Sequence, residues 1–201
     1  MRKAIYCNAL LVILEAAGMI LSFMRKQDDW LCYYTHDSNA VAMAAGIIFL
    51  IYACRGKMPG WARWLRYISG GMLMVTFGVV IFVLCPMMSM QMGLVKAYGY
   101  MLFDGSMLFQ HLLCPVLSTM SFICFEKYEF TAEDNVLMTL PTLGYGLIMV
   151  ALNAAGIVDG PYPFFEIGKV SISVCIACMA GIMLLAYSSG FILRISKKNK
   201  V

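Results

Sequence analysis

The sequence predicts an all-α, polytopic membrane protein, a single bundle of six transmembrane helices formed by residues 1-201. Hydrophobic residues make up 62% of the chain and charged residues only 13%, a composition far from that of a soluble domain. A helix needs about 20 apolar residues to cross the hydrocarbon core. Six segments reach about that length, near 4-24, 36-54, 67-87, 106-125, 136-155 and 168-195. Alternating segments of the outer-membrane barrel type are absent, so helices must satisfy the backbone polar groups in lipid.

Basic residues predict that both termini lie in the cytoplasm. That orientation puts most of the 15 Lys and Arg residues inside and leaves four outside, namely Arg25, Lys26, Lys96 and Lys169. The first segment is too long for a secretion signal and lacks a small-residue cleavage pattern, so we expect it to stay attached. The basic residues form no clustered face, which argues against a nucleic-acid partner.

The first helix is predicted to carry a buried stripe of polar residues. Asn8, Glu15 and Ser22 recur every seven residues and therefore share one face. Polar groups in lipid usually face the bundle interior or a cavity, so Glu15 is a candidate pocket residue. The alternative is a protonated or hydrogen-bonded carboxyl that only orients helices.

The second helix begins in a dense polar run. Thr35, Ser38 and Asn39 share one side through spacings of three and four, which suits contact with neighbouring helices. The alternative interpretation is a plain helix start, with Thr35 or Asp37 as the N-cap. The following loop, around residues 56-66, is predicted to be cytoplasmic and basic.

The connection from about residue 87 to residue 105 is the longest on the outer side. Its Met and Tyr content predicts a segment that lies along the interface or folds over the bundle mouth, so it is a candidate lid. No metal-ligand set is visible among the eight cysteines, and no cofactor is predicted.

The fourth helix places His111, Cys114 and Ser118 on one face. The second and fourth helices run in the same direction, so Thr35 and His111 would lie in the same outer leaflet. A lone membrane histidine is also often a packing residue. Tyr145 in the fifth helix and Tyr162 in the last outer turn complete the candidate set.

Several short motifs resemble a known family. Tyr34, Thr35, Ser38 and Asn39 match an aromatic-Thr-x-x-Ser-Asn signature that begins the second helix of a bacterial family of six-helix membrane proteins. Further matches are His111 with Pro115, Pro141 with Tyr145, and the run 162-164. That family is in turn similar to the androgen-induced and androgen-dependent TFPI-regulating proteins, which hydrolyse fatty acid esters of hydroxy fatty acids with a threonine and a histidine.

The resemblance implies a membrane-embedded lipid ester hydrolase or acyl transferase in the bacterial plasma membrane. Thr35 would be the nucleophile and His111 the general base, acting on a membrane lipid or acyl-chain ligand. The remaining pocket residues would be Ser38, Asn39, Glu15, Cys114, Ser118, Tyr145 and Tyr162. This chain has Leu140 where an aromatic residue often precedes the proline. It also lacks an acid placed to orient His111.

Two further function classes stay open. A small-molecule or lipid binding or transport protein would use Glu15, Asn39, His111 and Tyr145 to line a ligand cavity. A structural subunit would use the acidic segment 126-134 as a contact surface.

Overall fold

The computed structural model describes residues 2–25, 30–166 and 170–198. It is 84% helical, and no strand occurs in those ranges, which confirms the all-α prediction. The helices are α1 Arg2–Met24, α2 Tyr34–Cys54, α3 Gly60–Val79, α4 Cys85–Met92, α5 Leu94–Phe103, α6 Cys114–Phe125, α7 Ala132–Leu137, α8 Leu140–Ala154 and α9 Ile172–Lys198. Short 3₁₀ turns lie at Trp30–Cys32 and Pro163–Phe165. Of the basic residues behind the predicted orientation, Lys26, Lys169 and Lys200 lie outside the described ranges.

Among the residues that the structure describes, six helical segments are long and apolar enough to cross a membrane, as predicted. Large apolar side chains cover their outer faces, for example Ile13, Phe82 and Leu184, each more than 60% exposed. Such a surface is stable against lipid and unstable in water. The fold is that of a multi-pass integral membrane protein.

Helix α3 forms the centre of the bundle. Its most apolar stretch is 67% buried, compared with 22–39% for the other five crossings. It packs against α2, α6 and α9, while α1 lies against α2 and α6. Close approach of α1 depends on small residues, because a Cβ on Gly18 would lie 2.8 Å from Phe109 and one on Gly46 would lie 2.9 Å from Val12.

Two turns of π-helix interrupt the crossings. They cover Val80–Leu84 before Pro86 and Leu108–Leu113 before Pro115. A proline ring clashes with the carbonyl four residues earlier, and a widened turn relieves that clash. Both prolines therefore reset the register of the helix that precedes them.

The predicted lid segment is a helical hairpin and not an extended loop. The π-helical turn joins α3 to α4, and Gly93 then reverses the chain into α5 with φ of 84°. Only glycine adopts that angle without strain. The crossing from Gly60 to Met92 has 33 residues. At about 1.5 Å per residue it measures about 50 Å, longer than the hydrocarbon core, so its last turns rise beyond the core and carry the hairpin.

The predicted basic loop at residues 56-66 is shorter than expected, because α3 begins at Gly60. Arg66 is fully buried and lies 3.2 Å from the carboxylate of Glu126, which is also buried. Asn8 and Ser121 donate to the same carboxylate oxygen, and Arg66 donates to Ser118. The prediction that Arg66 lies in the loop was wrong. Arg66 can be buried inside the bundle because Glu126, at the C-terminal end of α6, compensates its charge.

Candidate active site

The side chains of Thr35 and His111 meet at the end of the bundle opposite the chain termini. Thr35 lies in the first turn of α2, and His111 lies in the π-helical turn before α6. Thr35 Oγ1 is 3.5 Å from His111 Nε2, and both residues are more than 90% buried. That separation is at the long end of the hydrogen-bond range, as in other hydroxyl–imidazole pairs without substrate. The structure therefore brings together the two residues that the sequence singled out.

The imidazole of His111 is held in one tautomer. Its Nδ1–H donates to the backbone carbonyl of Met101 in α5 at 2.8 Å. A carbonyl can only accept, so the proton sits on Nδ1 and the lone pair of Nε2 faces Thr35. The sequence offered no acid for this purpose, and the hairpin backbone supplies the orienting group instead.

Tyr162 lies beside Thr35 at this site. The two residues line the same cavity walls, and the phenol interacts with the Thr35 side chain and with the backbone of Tyr34 and Thr35. Burial raises the pKa of Tyr162 to about 12, so the phenol keeps its proton at neutral pH. The protonated hydroxyl is therefore available as a donor to a group bound at Thr35.

A cavity of about 470 Å³ opens beside this pair. Its volume is within the range of small-molecule sites. The polar part of its wall includes Thr35, His36, Gln110, His111 and Tyr162. The apolar part comes mainly from five methionines, Met87, Met88, Met90, Met101 and Met107. Methionine side chains are flexible and adapt to irregular apolar ligands, which suits a pocket for hydrocarbon.

The second histidine at the cavity wall, His36, is fully engaged. Its Nδ1–H donates to the carbonyl of Trp30 at 2.6 Å, and its Nε2 accepts from Ser22 at 2.7 Å. The Trp30 indole donates to the same Ser22 oxygen at 3.0 Å and stacks on the imidazole. This closed loop of three hydrogen bonds fixes the start of α2 and leaves His111 as the histidine whose lone pair faces Thr35.

Ser38 and Asn39 follow Thr35 by about one turn of α2. Neither residue lines a cavity wall. Both side chains donate to the carbonyl oxygen of Thr35, at 3.0 and 2.6 Å. Ser38 also bonds Thr76. These bonds engage the donors of Ser38 and Asn39 within α2, where they hold its first turn and do not form part of the pocket wall.

The N-cap of α2 is Tyr33, and its side chain makes no capping bond. The alternative interpretation of this run as a helix start is therefore correct in part: α2 does begin here, but neither Thr35 nor Asp37 is its N-cap. The Thr35 hydroxyl is not used for capping and stays available to His111.

The other predicted pocket residues lie elsewhere. Glu15, Cys114 and Ser118 are completely buried deeper in the bundle, between α1, α6 and α3. Ser118 accepts from Arg66, which explains why it is buried. Tyr145 does approach the site, because its hydroxyl accepts from the backbone N–H of Tyr34 and donates to the Cys32 carbonyl.

Sequence reasoning missed the methionines and the Met101 carbonyl. The only signal was the methionine-rich composition of the hairpin, because a backbone carbonyl has no sequence signature. In the part of the chain that the structure describes, no group of three or more His, Cys, Asp or Glu side chains is arranged to hold a metal ion.

Comparisons with known proteins identify no relative. No protein-family model, curated protein or solved structure matches this chain.

Proposed function

We propose that this protein is a membrane-embedded lipid ester hydrolase or acyl transferase with Thr35 as nucleophile and His111 as general base. The observation that carries the proposal is the Nε2 lone pair of His111, which faces Thr35 Oγ1 at 3.5 Å beside a cavity of about 470 Å³. The proposal also includes the suggested relationship to the androgen-induced proteins.

The first step forms an acyl-enzyme. Thr35 Oγ1 attacks the ester carbonyl carbon while its proton moves to His111 Nε2. The tetrahedral intermediate then expels the alkoxide, which takes the proton from His111 as the C–O bond breaks. Water attacks the acyl-threonine in the second step, again through His111, and releases the fatty acid. An alcohol in place of water would give acyl transfer.

The developing oxyanion needs a donor. The protonated hydroxyl of Tyr162 is the donor beside Thr35, and the side-chain amide of Gln110 lies in the same cavity wall. Donors fixed in a low-dielectric site stabilise such a charge strongly. We assign this role to Tyr162.

We also propose the finer localisation: the bacterial plasma membrane, with both termini in the cytoplasm. The excess of Lys and Arg at the end with the termini supports this orientation. The Thr35–His111 cavity then opens toward the outer leaflet.

The binding or transport alternative depends on Glu15 and Asn39 in the ligand path. Both are completely buried, and neither lines the cavity of about 470 Å³. The hydrolase proposal uses only residues of the cavity wall, and we prefer it for that reason.

The test is covalent labelling of the purified protein by a fluorophosphonate, followed by mass spectrometry of the adduct. We expect the adduct on residue 35. Thr35→Ala should abolish it, Thr35→Ser should retain it, and His111→Ala should slow labelling by about 10³-fold or more.

The matched control is Thr139→Ala, which removes another buried threonine hydroxyl, one that donates to the Val136 carbonyl and lines no cavity. This variant should label normally. Labelling that persists in Thr35→Ala, or an adduct on another residue, would reject the mechanism. Unfolding curves for each variant separate loss of chemistry from loss of fold.

A further inference from the structure

Thr35 stands between two cavities. One is the methionine-lined cavity of about 470 Å³, the outer cavity, and the other is a chamber of about 30 Å³ between α2, α3, α8 and α9. Thr35, Leu84 and Tyr162 line both cavities. Thr35 therefore borders the outer cavity and the chamber.

Most hydroxyls of the chamber wall are already hydrogen-bonded. Tyr34 bonds Thr142 at 2.7 Å, Tyr145 donates to the Cys32 carbonyl, and Thr76 bonds Ser38 at 2.7 Å. Much of the remaining wall is apolar, with Val75, Val79, Val80, Phe164, Phe165 and Ile182 among its residues. A hydrocarbon chain fits such a wall, because these bonded hydroxyls keep their partners when the chain lies beside them.

Beyond the chamber, a groove of about 400 Å³ runs between α3 and α9. Val79, Phe164 and Ile182 line both the chamber and the groove. None of the groove residues is charged, and Phe82 and Leu184 at its rim are 73% and 67% exposed. Since both helices cross the membrane, this groove faces the acyl chains of the lipid.

We propose that the groove between α3 and α9 is the acyl-chain site of the ester substrate, reached from Thr35 through the chamber. The inference rests on the proposed function. The outer cavity, with Gln91, Gln110 and His36 in its wall, then receives the alcohol half of the ester. The groove also gives the released fatty acid a direct path into the bilayer.

Two flexible side chains, Met179 and Leu185, narrow the path from Thr35 through the chamber to the groove. Met179 lies against Gly146 in the chamber, and a Cβ on Gly78 in the groove would lie 2.7 Å from Leu185. A chamber of about 30 Å³ holds little more than one water molecule, so a chain enters only when such side chains rotate. Methionine and leucine rotamers exchange rapidly, and the backbone need not move.

Gly181 provides a specific probe of the groove. A Cβ at this position meets no atom within 4 Å, so a larger side chain enters the groove without a clash. Gly181→Phe should therefore block the groove and leave the fold intact. Gly144 in α8 has the same open surroundings and lines none of the three cavities, so Gly144→Phe is the matched control.

The experiment uses a hexadecyl fluorophosphonate with a diazirine near the end of its chain, on purified protein in nanodiscs. After the phosphonate has reacted, ultraviolet light cross-links the chain to its surroundings. We expect cross-links to residues 78–83 or 178–188, and Gly181→Phe should reduce both their yield and the labelling rate about tenfold. Gly144→Phe should change neither, and ethyl fluorophosphonate should label all variants equally.

The outcomes separate the two proposals. An adduct on Thr35 whose chain cross-links to the methionines of the outer cavity would overturn the groove assignment and leave the hydrolase intact. Labelling by the long probe that is unchanged in Gly181→Phe would do the same. No adduct on Thr35 with either probe would overturn both.

Discussion

At the scale of single residues, the site depends on which nitrogen of His111 carries the proton. In many hydrolases a carboxylate fixes this choice, and here the Met101 carbonyl does so at 2.8 Å. A carbonyl is neutral, so it orients the imidazole without adding a buried charge to the membrane interior. In the proposed reaction, the imidazolium would gain less stabilisation than it would from a carboxylate.

Tyr162 gives the prediction at this scale. Tyr162→Phe removes the hydroxyl beside Thr35 and retains the ring that stacks on Phe164. If this hydroxyl stabilises the oxyanion, kcat for a nitrophenyl ester should fall about a hundredfold, with little change in KM. Steady-state kinetics on the purified protein checks this.

Tyr33→Phe is the control, since it also removes a tyrosine hydroxyl from the wall of the outer cavity. Its kcat should stay close to that of the parent protein. Equal kcat values for Tyr162→Phe and Tyr33→Phe would remove Tyr162 from the mechanism.

At the scale of elements, a widened helical turn directs His111, the proposed general base, toward Thr35. His111 lies within Leu108–Leu113, where the turn has about one residue more than an α-helix would have. Each residue of an α-helix advances by about 100°, so a regular helix would turn His111 away from Thr35. Pro115 is the local reason for the widened turn.

Pro115→Ala therefore tests whether the widened turn at Leu108–Leu113 positions His111. Without the ring, the turn is free to return to an α-helix, and His111 should lose its bond to Met101 and its approach to Thr35. We expect hydrolysis to fall about a hundredfold while the melting temperature stays the same or rises. Pro141→Ala, which removes a proline from the first turn of α8 where no π-helical turn precedes it, should have a much smaller effect on hydrolysis.

At the scale of the whole molecule, a buried ion pair ties three helices together near the chain termini. Arg66 of α3 bonds Glu126 and Ser118, and Asn8 of α1 donates to the same carboxylate. Lys197 of α9 donates to the carbonyls of Phe122 and Glu126. This cluster lies at the end of the bundle opposite the site. It therefore stabilises the bundle without restraining the end that contains the cavity.

Removal of one charge from this cluster should be more damaging than removal of both. Arg66→Met leaves Glu126 buried without its cation and should cost about 3–5 kcal/mol of unfolding free energy. The double variant Arg66→Met/Glu126→Gln should recover most of that loss, because the amide oxygen still accepts from Asn8 and Ser121. Thermal unfolding in detergent measures both, and equal melting temperatures for the single and double variants would contradict the expectation.

The orientation in the membrane is also a property of the whole molecule. A green fluorescent protein fused after residue 201 should fluoresce in bacterial cells, because the C-terminus is proposed to be cytoplasmic. Alkaline phosphatase inserted at Gly93, the turn of the hairpin, should be active because that turn faces outward in the proposed orientation. An inactive insertion at Gly93 together with a dark C-terminal fusion would reverse the proposed topology.

The sequence by itself determined that the chain is suited to a membrane, how many helices cross it and which polar residues lie inside those helices. These follow from composition and from the helical period, which are local properties of the chain. Asn8, Glu15 and Ser22 are all buried, as their spacing of seven predicted. The bounds of α3 were less predictable, because burial of Arg66 depends on Glu126, a residue 60 positions later.

Only the tertiary structure decided which polar residues form the site. Thr35 and His111 are 76 positions apart, and no local pattern records that α2 lies beside the turn before α6. The tautomer of His111 depends on the Met101 backbone carbonyl in another helix, and no residue type records that contact. Ser38, Asn39, Cys114 and Ser118 have equally suitable chemistry. Packing gives their polar groups structural partners and leaves the Thr35 hydroxyl facing a base and a cavity.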